Sequence, residues 1–204
     1  MPPDGPTGWT ATYLEAAGSF AELVASLPPS LSGPGLGEWD LRALVGHTAR
    51  SLVTVSEYLR RPASSVDLET AADYIGGLAA AANDDPGVTR RGVEAGEMLG
   101  DDPAGAVRLL LDEVVADLAR ADPDQLVTTY AGGMRLRDYL PTRSFELVVH
   151  CLDIAAAVPV RWTPPPAAVS EALHLAADVA LRRGEGGLVL RLVTGREPGG
   201  VSIV

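Results

Sequence analysis

Arg143, Glu146, His150 and Asp153 recur at intervals of three and four in the run Arg143-Ser-Phe-Glu-Leu-Val-Val-His-Cys-Leu-Asp153. With about 100° of rotation per helical residue, they fall in one wedge roughly 80° wide. Phe145, Leu147, Val148, Val149, Cys151, Leu152 and Ile154 make the rest of the segment apolar. A surface helix ordinarily keeps a broad polar face and a narrower apolar stripe. The inverse proportion predicts a helix packed on several sides, with its polar wedge turned to a pocket. A carboxylate and an imidazole withdrawn from water need partners, and a metal ion satisfies both. Glu146 and His150, at i and i+4, place their Cβ atoms about 6 Å apart and can converge on one ion. The best third ligand is His47, which shares a flank of an upstream amphipathic segment with Leu44, Ser51, Val55 and Tyr58. Two histidines, one carboxylate and an open position form the arrangement of catalytic zinc, and helix bundles build such sites from facing helices. On spacing alone, a helix-borne Glu-x-x-x-His pair is common by chance, and a histidine beside a core is more often a hydrogen-bonded buried residue than a ligand.

The elements that must carry these residues are marked by proline and glycine. Thr10 to Leu27 reads as a first helix, ended by Pro28-Pro29. Asp40 is a good N-cap for a second, in which Leu41, Val45, Thr48, Leu52, Val55 and Leu59 recur at helical spacing until Pro62. The pattern weakens from Ser64 to Gly100, where Asp67 to Ala82 and Val88 to Leu99 are read as helices. Pro103 opens another that runs to Asp122-Pro123. Leu126 to Tyr130 and Met134 to Leu136 are read as a small hairpin around a Gly132-Gly133 turn. The helix of the polar wedge then spans about Asp138 to Val158, with Pro141 placed in its first turn. Pro164-Pro165-Pro166 opens a helix through Val169, Leu173, Ala176 and Val179 to Arg183, and Leu188 to Val193 fits a short strand or one more helical segment. The expected fold is all-α, a four-helix bundle with a hairpin and a short C-terminal extension. A single domain spans residues 1–204, with its core at about 10–160 and its extension at about 161–204.

Composition narrows the partners. The formal net charge of −11 argues against nucleic acid, which demands a basic patch. No apolar run approaches the roughly 20 residues of a membrane span, and the Met-Pro-Pro-Asp start does not resemble a signal peptide. The cytoplasm is the expected location. One cysteine, Cys151, excludes an internal disulfide framework and any multi-cysteine zinc site. Cys151 points away from the polar wedge and reads as a core residue. All 16 basic residues are arginine, a usage that fits GC-rich codons and a GC-rich bacterial source.

The segment Gly37-Glu-Trp-Asp-Leu-Arg-Ala-Leu-Val-Gly-His47, paired downstream with Thr142-Arg-Ser-Phe-Glu146-Leu-Val-Val-His150-Cys-Leu-Asp153, resembles the mycothiol-dependent maleylpyruvate isomerase N-terminal family. That family belongs to the DinB-like group of metal-binding four-helix bundles. Leu190 to Val204, with Thr194-Gly195-Arg196 and the closing Val201-Ser-Ile-Val204, is similar to the end of its short members. The resemblance implies that His47, Glu146 and His150 are the metal ligands, with zinc as the first candidate and nickel, iron or manganese as alternatives. It implies mycothiol as thiol cosubstrate, which fits an actinobacterial source. Asp153 becomes an acceptor that orients an imidazole N–H, that of His47 among them, or else an ordinary helix-face carboxylate. Arg143 becomes a fork for a substrate or thiol carboxylate, or else a partner of Glu146 or a solvated charge. Trp39 reads as a packing anchor. The isomerase that names the family has a further C-terminal domain that helps complete its active site, and the chain stops short of one, so maleylpyruvate is not the expected substrate.

The implied activity is a metal-dependent, thiol-dependent transferase or isomerase in which a thiolate attacks a small electrophile. Two other readings fit the same residues: a thiol-independent metallohydrolase, and a non-catalytic metal-binding or assembly module. Oligomeric state is open, a homodimer included.

Overall fold

The computed structural model describes residues 8–82, 86–196 and 198. Among these residues the elements run α1 (Gly8–Ala25), α2 (Leu41–Leu59), α3 (Ala71–Ala82), α4 (Pro86–Met98), α5 (Pro103–Leu118), β1 (Leu126–Thr129), β2 (Gly132–Arg135), α6 (Leu136–Ala157), α7 (Pro166–Arg182) and α8 (Gly186–Val193). The caps explain several starts. Asp40 accepts from the Ala43 N–H at 2.7 Å and so opens α2. Asp102 accepts from the Gly105 N–H at 2.9 Å, with Pro103 in the first turn of α5. Thr70 and Asp73 exchange hydrogen bonds ahead of α3, a capping box in which each side chain accepts from the other's backbone N–H.

α1 and α2 each pack on both α5 and α6, so these four helices form the bundle. Their inward side chains include Tyr13 and Phe20 of α1, Leu44 and Leu52 of α2, and Leu147 and Ile154 of α6, all fully buried. Each large apolar side chain so buried contributes about 1.5–3 kcal/mol. The remaining helices are applied from outside: α4 lies on α2, α3 on α6, and α7 covers α6 and α3 while touching α1. The all-α bundle with a small hairpin is therefore the fold expected from the sequence.

Several details correct or refine the sequence reading. α6 begins at Leu136, so Pro141 lies beyond the first turn, and the helix runs through it with the Arg137 carbonyl lacking its usual N–H partner. The hairpin turns at Tyr130-Ala131, and both glycines belong to β2. Gly132 has φ +137°, and a Cβ on Gly133 would lie 2.2 Å from the Ser65 carbonyl oxygen. That close approach lets Asp67 and Leu68 donate to the Gly133 carbonyl and fixes the strand's distance from the chain entering α3. α1 is displaced two residues toward the N-terminus. The Leu188 to Val193 ambiguity resolves as helix α8, which packs on α7 and buries none of its residues fully. The expected motif at Val201-Ser-Ile-Val204 and the lead before Gly8 lie outside the described residues.

Candidate metal centre

His47 sits on α2 where α4 crosses it at closest packing. A Cβ on Gly46 would lie 2.2 Å from the Gly96 nitrogen, and one on Gly96 would lie 2.8 Å from the Arg42 carbonyl oxygen, so the two helices touch backbone to backbone. Trp39, just ahead of the α2 cap, is held across the same junction. Its Nε1 donates to the Thr89 carbonyl at 3.0 Å, and its ring covers Gly92, where a Cβ would come within 2.5 Å of Cε2. The other side of this anchor faces His47: the Trp39 and His47 ring centroids are 4.4 Å apart. Trp39 is thus a packing residue, as expected, and also a wall against which the imidazole is set.

α6 supplies the opposing groups. Glu146 Oε2 lies 3.2 Å from His150 Nε2 and 3.9 Å from His47 Nε2, and the two imidazoles meet edge to face with centroids 4.9 Å apart. One ligand atom from each of His47, Glu146 and His150 lies within 4.8 Å of the others. All three side chains keep 15–23% exposure. Asp153 accepts from His150 Nδ1 at 3.0 Å. Asp153, read from the sequence as a candidate acceptor for an imidazole N–H, therefore contacts His150 and not His47.

The electrostatics sort the three groups. Burial, together with the neighbouring His150, Arg50 and Arg143 charges, outweighs Glu146 and holds His47 down at about 4, so its imidazole is neutral. Burial also opposes charge on His150, but its contacts with Asp153 and Glu146 prevail and push it up to about 9. Burial works against the Glu146 carboxylate, yet the His150 contact and the Arg143 charge hold it well below the usual range. His47 Nδ1 is buried without a hydrogen-bond partner among the described residues. A neutral imidazole with an unmet nitrogen, a second imidazole oriented by a carboxylate, and an ionised carboxylate between them suit a divalent cation.

Arg143 makes no close ion pair with Glu146, although its charge acts on that carboxylate, and it is 7% exposed. It is buried in the angle between the rings of Tyr74 and Tyr139, and its Nε donates to Thr142 Oγ1 at 3.0 Å. Tyr139 in turn donates to Thr54 Oγ1 at 2.9 Å, which continues the polar seam between α2 and α6 inward from the histidines. Cys151 is fully buried and burial pushes its thiol up, in keeping with a core role. The sequence reading did not single out Tyr74 or Arg50. Tyr74 lies in the weakly patterned stretch, and Arg50 had no signal beyond its place one turn after His47.

The sequence profile of the mycothiol maleylpyruvate isomerase N-terminal domain matches residues 13–155. The chain belongs to that family. The family match runs from α1 to α6 and contains His47, Glu146, His150 and Asp153. No curated protein sequence matches the chain. Among solved structures, the crystal structure of the mycothiol-dependent maleylpyruvate isomerase is similar with a TM-score of 0.52 at 16% identity, over 83% of this chain. The chain spans 66% of that protein's length, just under two thirds, and at this identity the likeness speaks for the fold.

Proposed function

We propose that the chain is a metal-dependent enzyme that uses a low-molecular-weight thiol, mycothiol in the first instance, to transfer to or isomerise a small electrophilic substrate. The observation that carries this reading is the convergence of His47 with Glu146 and His150 from two facing bundle helices, in a chain of a family named for a mycothiol-dependent isomerase. His47, Glu146 and His150 would hold a divalent cation, zinc first among the candidates. When bound, such an ion supplies the acidity that leaves a coordinating thiol deprotonated.

The chain's own residues do the rest. Asp153 fixes the His150 ring through Nδ1 and leaves Nε2 directed at Glu146. Trp39 sets the His47 ring and, with α4 behind it, closes that side to water. Thiolate attack on an activated double bond forms a carbon–sulfur bond and an enolate, which takes up a proton to give the adduct or, after bond rotation, expels the thiolate to give the isomer; attack with expulsion of a leaving anion gives transfer. Low-molecular-weight thiols are kept reduced in the cytoplasm, so the proposed reaction belongs there.

Elemental analysis of the purified protein tests the centre. The wild type is expected to carry about one divalent ion per chain, and His150→Ala to lose it, since a site of three protein ligands does not survive on two. Equal metal content in the two proteins would refute the ligand assignment. Turnover of an electrophile without added thiol would replace the thiol reading with that of a hydrolase.

A further inference from the structure

A buried hydroxyl in a helix interior ordinarily bonds back to the carbonyl one turn earlier. Thr48 does so to Leu44 at 2.7 Å, Thr54 to Arg50 at 2.8 Å and Ser144 to Leu140 at 3.4 Å. Ser56, also on α2, does not. It is 4% exposed, and its Oγ is buried without a hydrogen-bond partner among the described residues. A buried hydroxyl left unmet costs stability, which makes Ser56 a place where a group from outside the described residues would be favoured.

Ser56 borders a cavity of about 180 Å³ between α2 and α5. Leu52 and Val53 of α2 and Leu110 of α5 give it apolar walls, and Glu57, Arg60 and Glu113 complete the lining. Arg60 Nη2 reaches across from α2 to Glu113 Oε1 at 2.5 Å and to Asp117 Oδ2 at 3.2 Å. Arg60 and Glu113 are both about half exposed, so water screens the pair and it opens at little cost. Glu57 is a further carboxylate acting on Arg60. Negative charge therefore outweighs positive around the cavity and disfavours an anion. Ser56 and His47 lie about two and a half turns apart, on opposite faces of α2. The cavity is separate from His47, Glu146 and His150, none of which lines it.

We propose that this cavity is a binding site for a small neutral phenol or alcohol, whose hydroxyl pairs with Ser56 and whose hydrocarbon body fills the space between α2 and α5. An apolar cavity of about 150 Å³ admits benzene, so the volume here holds one aromatic ring and about one or two further heavy atoms. A hydroxyl both donates and accepts, as Ser56 does, and the serine needs at most a turn about χ1 to meet it. Burial against Leu52, Val53 and Leu110 favours hydrocarbon, whereas a charged occupant would lose its hydration there. The occupant touches two helices of the bundle, so its binding stabilises the folded chain by mass action. The site is independent of the metal centre and does not rest on the proposed reaction.

p-Cresol, toluene and p-toluate share a methyl-substituted ring and differ in carrying a hydroxyl, no polar group or a carboxylate. NMR titration of the full chain gives the three dissociation constants. p-Cresol is expected to bind about 2–10-fold more tightly than toluene, the span of one net hydrogen bond, and at least about tenfold more tightly than p-toluate. Ser56→Ala should bring p-cresol to the level of toluene and leave toluene unweakened. Val53→Phe and Leu110→Trp fill the cavity from either helix and should abolish binding of both. Zinc-loaded and metal-free protein should bind p-cresol alike. Absent p-cresol binding, equal binding of p-cresol and toluene or of p-cresol and p-toluate to the wild type, or an undiminished hydroxyl preference in Ser56→Ala overturns the proposal. Unchanged p-cresol binding in a folded filling variant does so too, as does p-cresol binding that changes with zinc, which would move the ligand to the metal centre. Should neither filling variant fold, Ser56→Ala decides, because it removes only a hydroxyl that has no partner among the described residues.

Discussion

His150 is gripped from both sides, with Nδ1 bonded to Asp153 and Nε2 beside Glu146, and this sets how the centre should respond to pH. A ligating imidazole must give up the proton on its ligating nitrogen. His150 holds that proton up to about pH 9, so the cation competes with it throughout the neutral range. Zinc affinity is expected to rise with pH until about 9, and binding at neutral pH should release about one proton per ion. Calorimetry in buffers of different ionisation enthalpy checks the release. Asp153→Asn removes one of the contacts that raise His150, so the pH at which affinity levels off should move down. The affinity itself should fall by about 10–100-fold, the usual consequence of losing a partner that orients a metal-bound histidine. A pH profile identical to wild type would show that Asp153 is only a helix-face carboxylate. At this scale the Glu146, His150 and Asp153 edge was legible in the sequence, because spacing of three and four fixes which α6 side chains share a face, whereas His47, on another helix, was joined to it as a ligand by the family resemblance. The state of Arg143 was not legible, since the tyrosine that boxes it in from outside its own helix, Tyr74, comes from a segment with little pattern.

Helix placement decides whether His47 meets its partners, and the α2–α4 crossing is where that placement is most tightly constrained. An alanine methyl at position 46 would strike backbone atoms of Ala95 and Gly96 at 2.2–2.5 Å, and backbone cannot rotate aside. Gly46→Ala should therefore push α4 away, cost about 1–3 kcal/mol or more, and loosen the Trp39 contact that sets His47, with zinc affinity falling too. Gly18→Ala is the control. Gly18 lies inside α1 with nothing within 4 Å of an added Cβ, so relief of glycine's backbone entropy should stabilise the protein by about 0.5–1 kcal/mol. Chemical denaturation of both variants reads the opposite signs, and a loss at Gly18 matching that at Gly46 would rule out the crossing as the cause. Sequence patterns of apolar residues locate helices and cannot show such a contact, because a glycine at a crossing and a glycine in open space look alike. The hairpin glycines misled for the same reason. Gly133 is required by the Ser65 backbone behind it and not by a turn.

α7 follows the segment matched by the family profile, yet it is tied back to the first half of the chain, and we propose that bundle and extension unfold as one domain. Arg182 near the end of α7 pairs with Asp73, which also accepts from the Thr70 N–H at 2.9 Å and from its hydroxyl at 2.7 Å. The capping box that starts α3 is thus joined to a helix 109 residues later. The Thr70 hydrogen bonds, with the Arg182 charge in support, outweigh burial and hold the Asp73 carboxyl below its ordinary value. A carboxyl depressed in the folded state contributes stability above its unfolded pKa, near 4, and loses that contribution as pH falls through the folded value. At neutral pH the tie is fully present. Asp73→Asn should cost about 0.5–2 kcal/mol there, mostly through the cap, since the Arg182 pair is largely exposed and adds little. The gap between variant and wild type should narrow as pH falls below about 4 and close beneath the folded value, where both carry a neutral group at position 73. If α7 and α8 form part of the same cooperative unit, thermal unfolding of either protein will show one transition by far-UV and tryptophan signals alike, because Trp162 ahead of α7 donates to Ser19 of α1 at 3.0 Å and reports on both. Two transitions, with only the first moved by Asp73→Asn, would mean that the extension docks on a bundle able to stand without it.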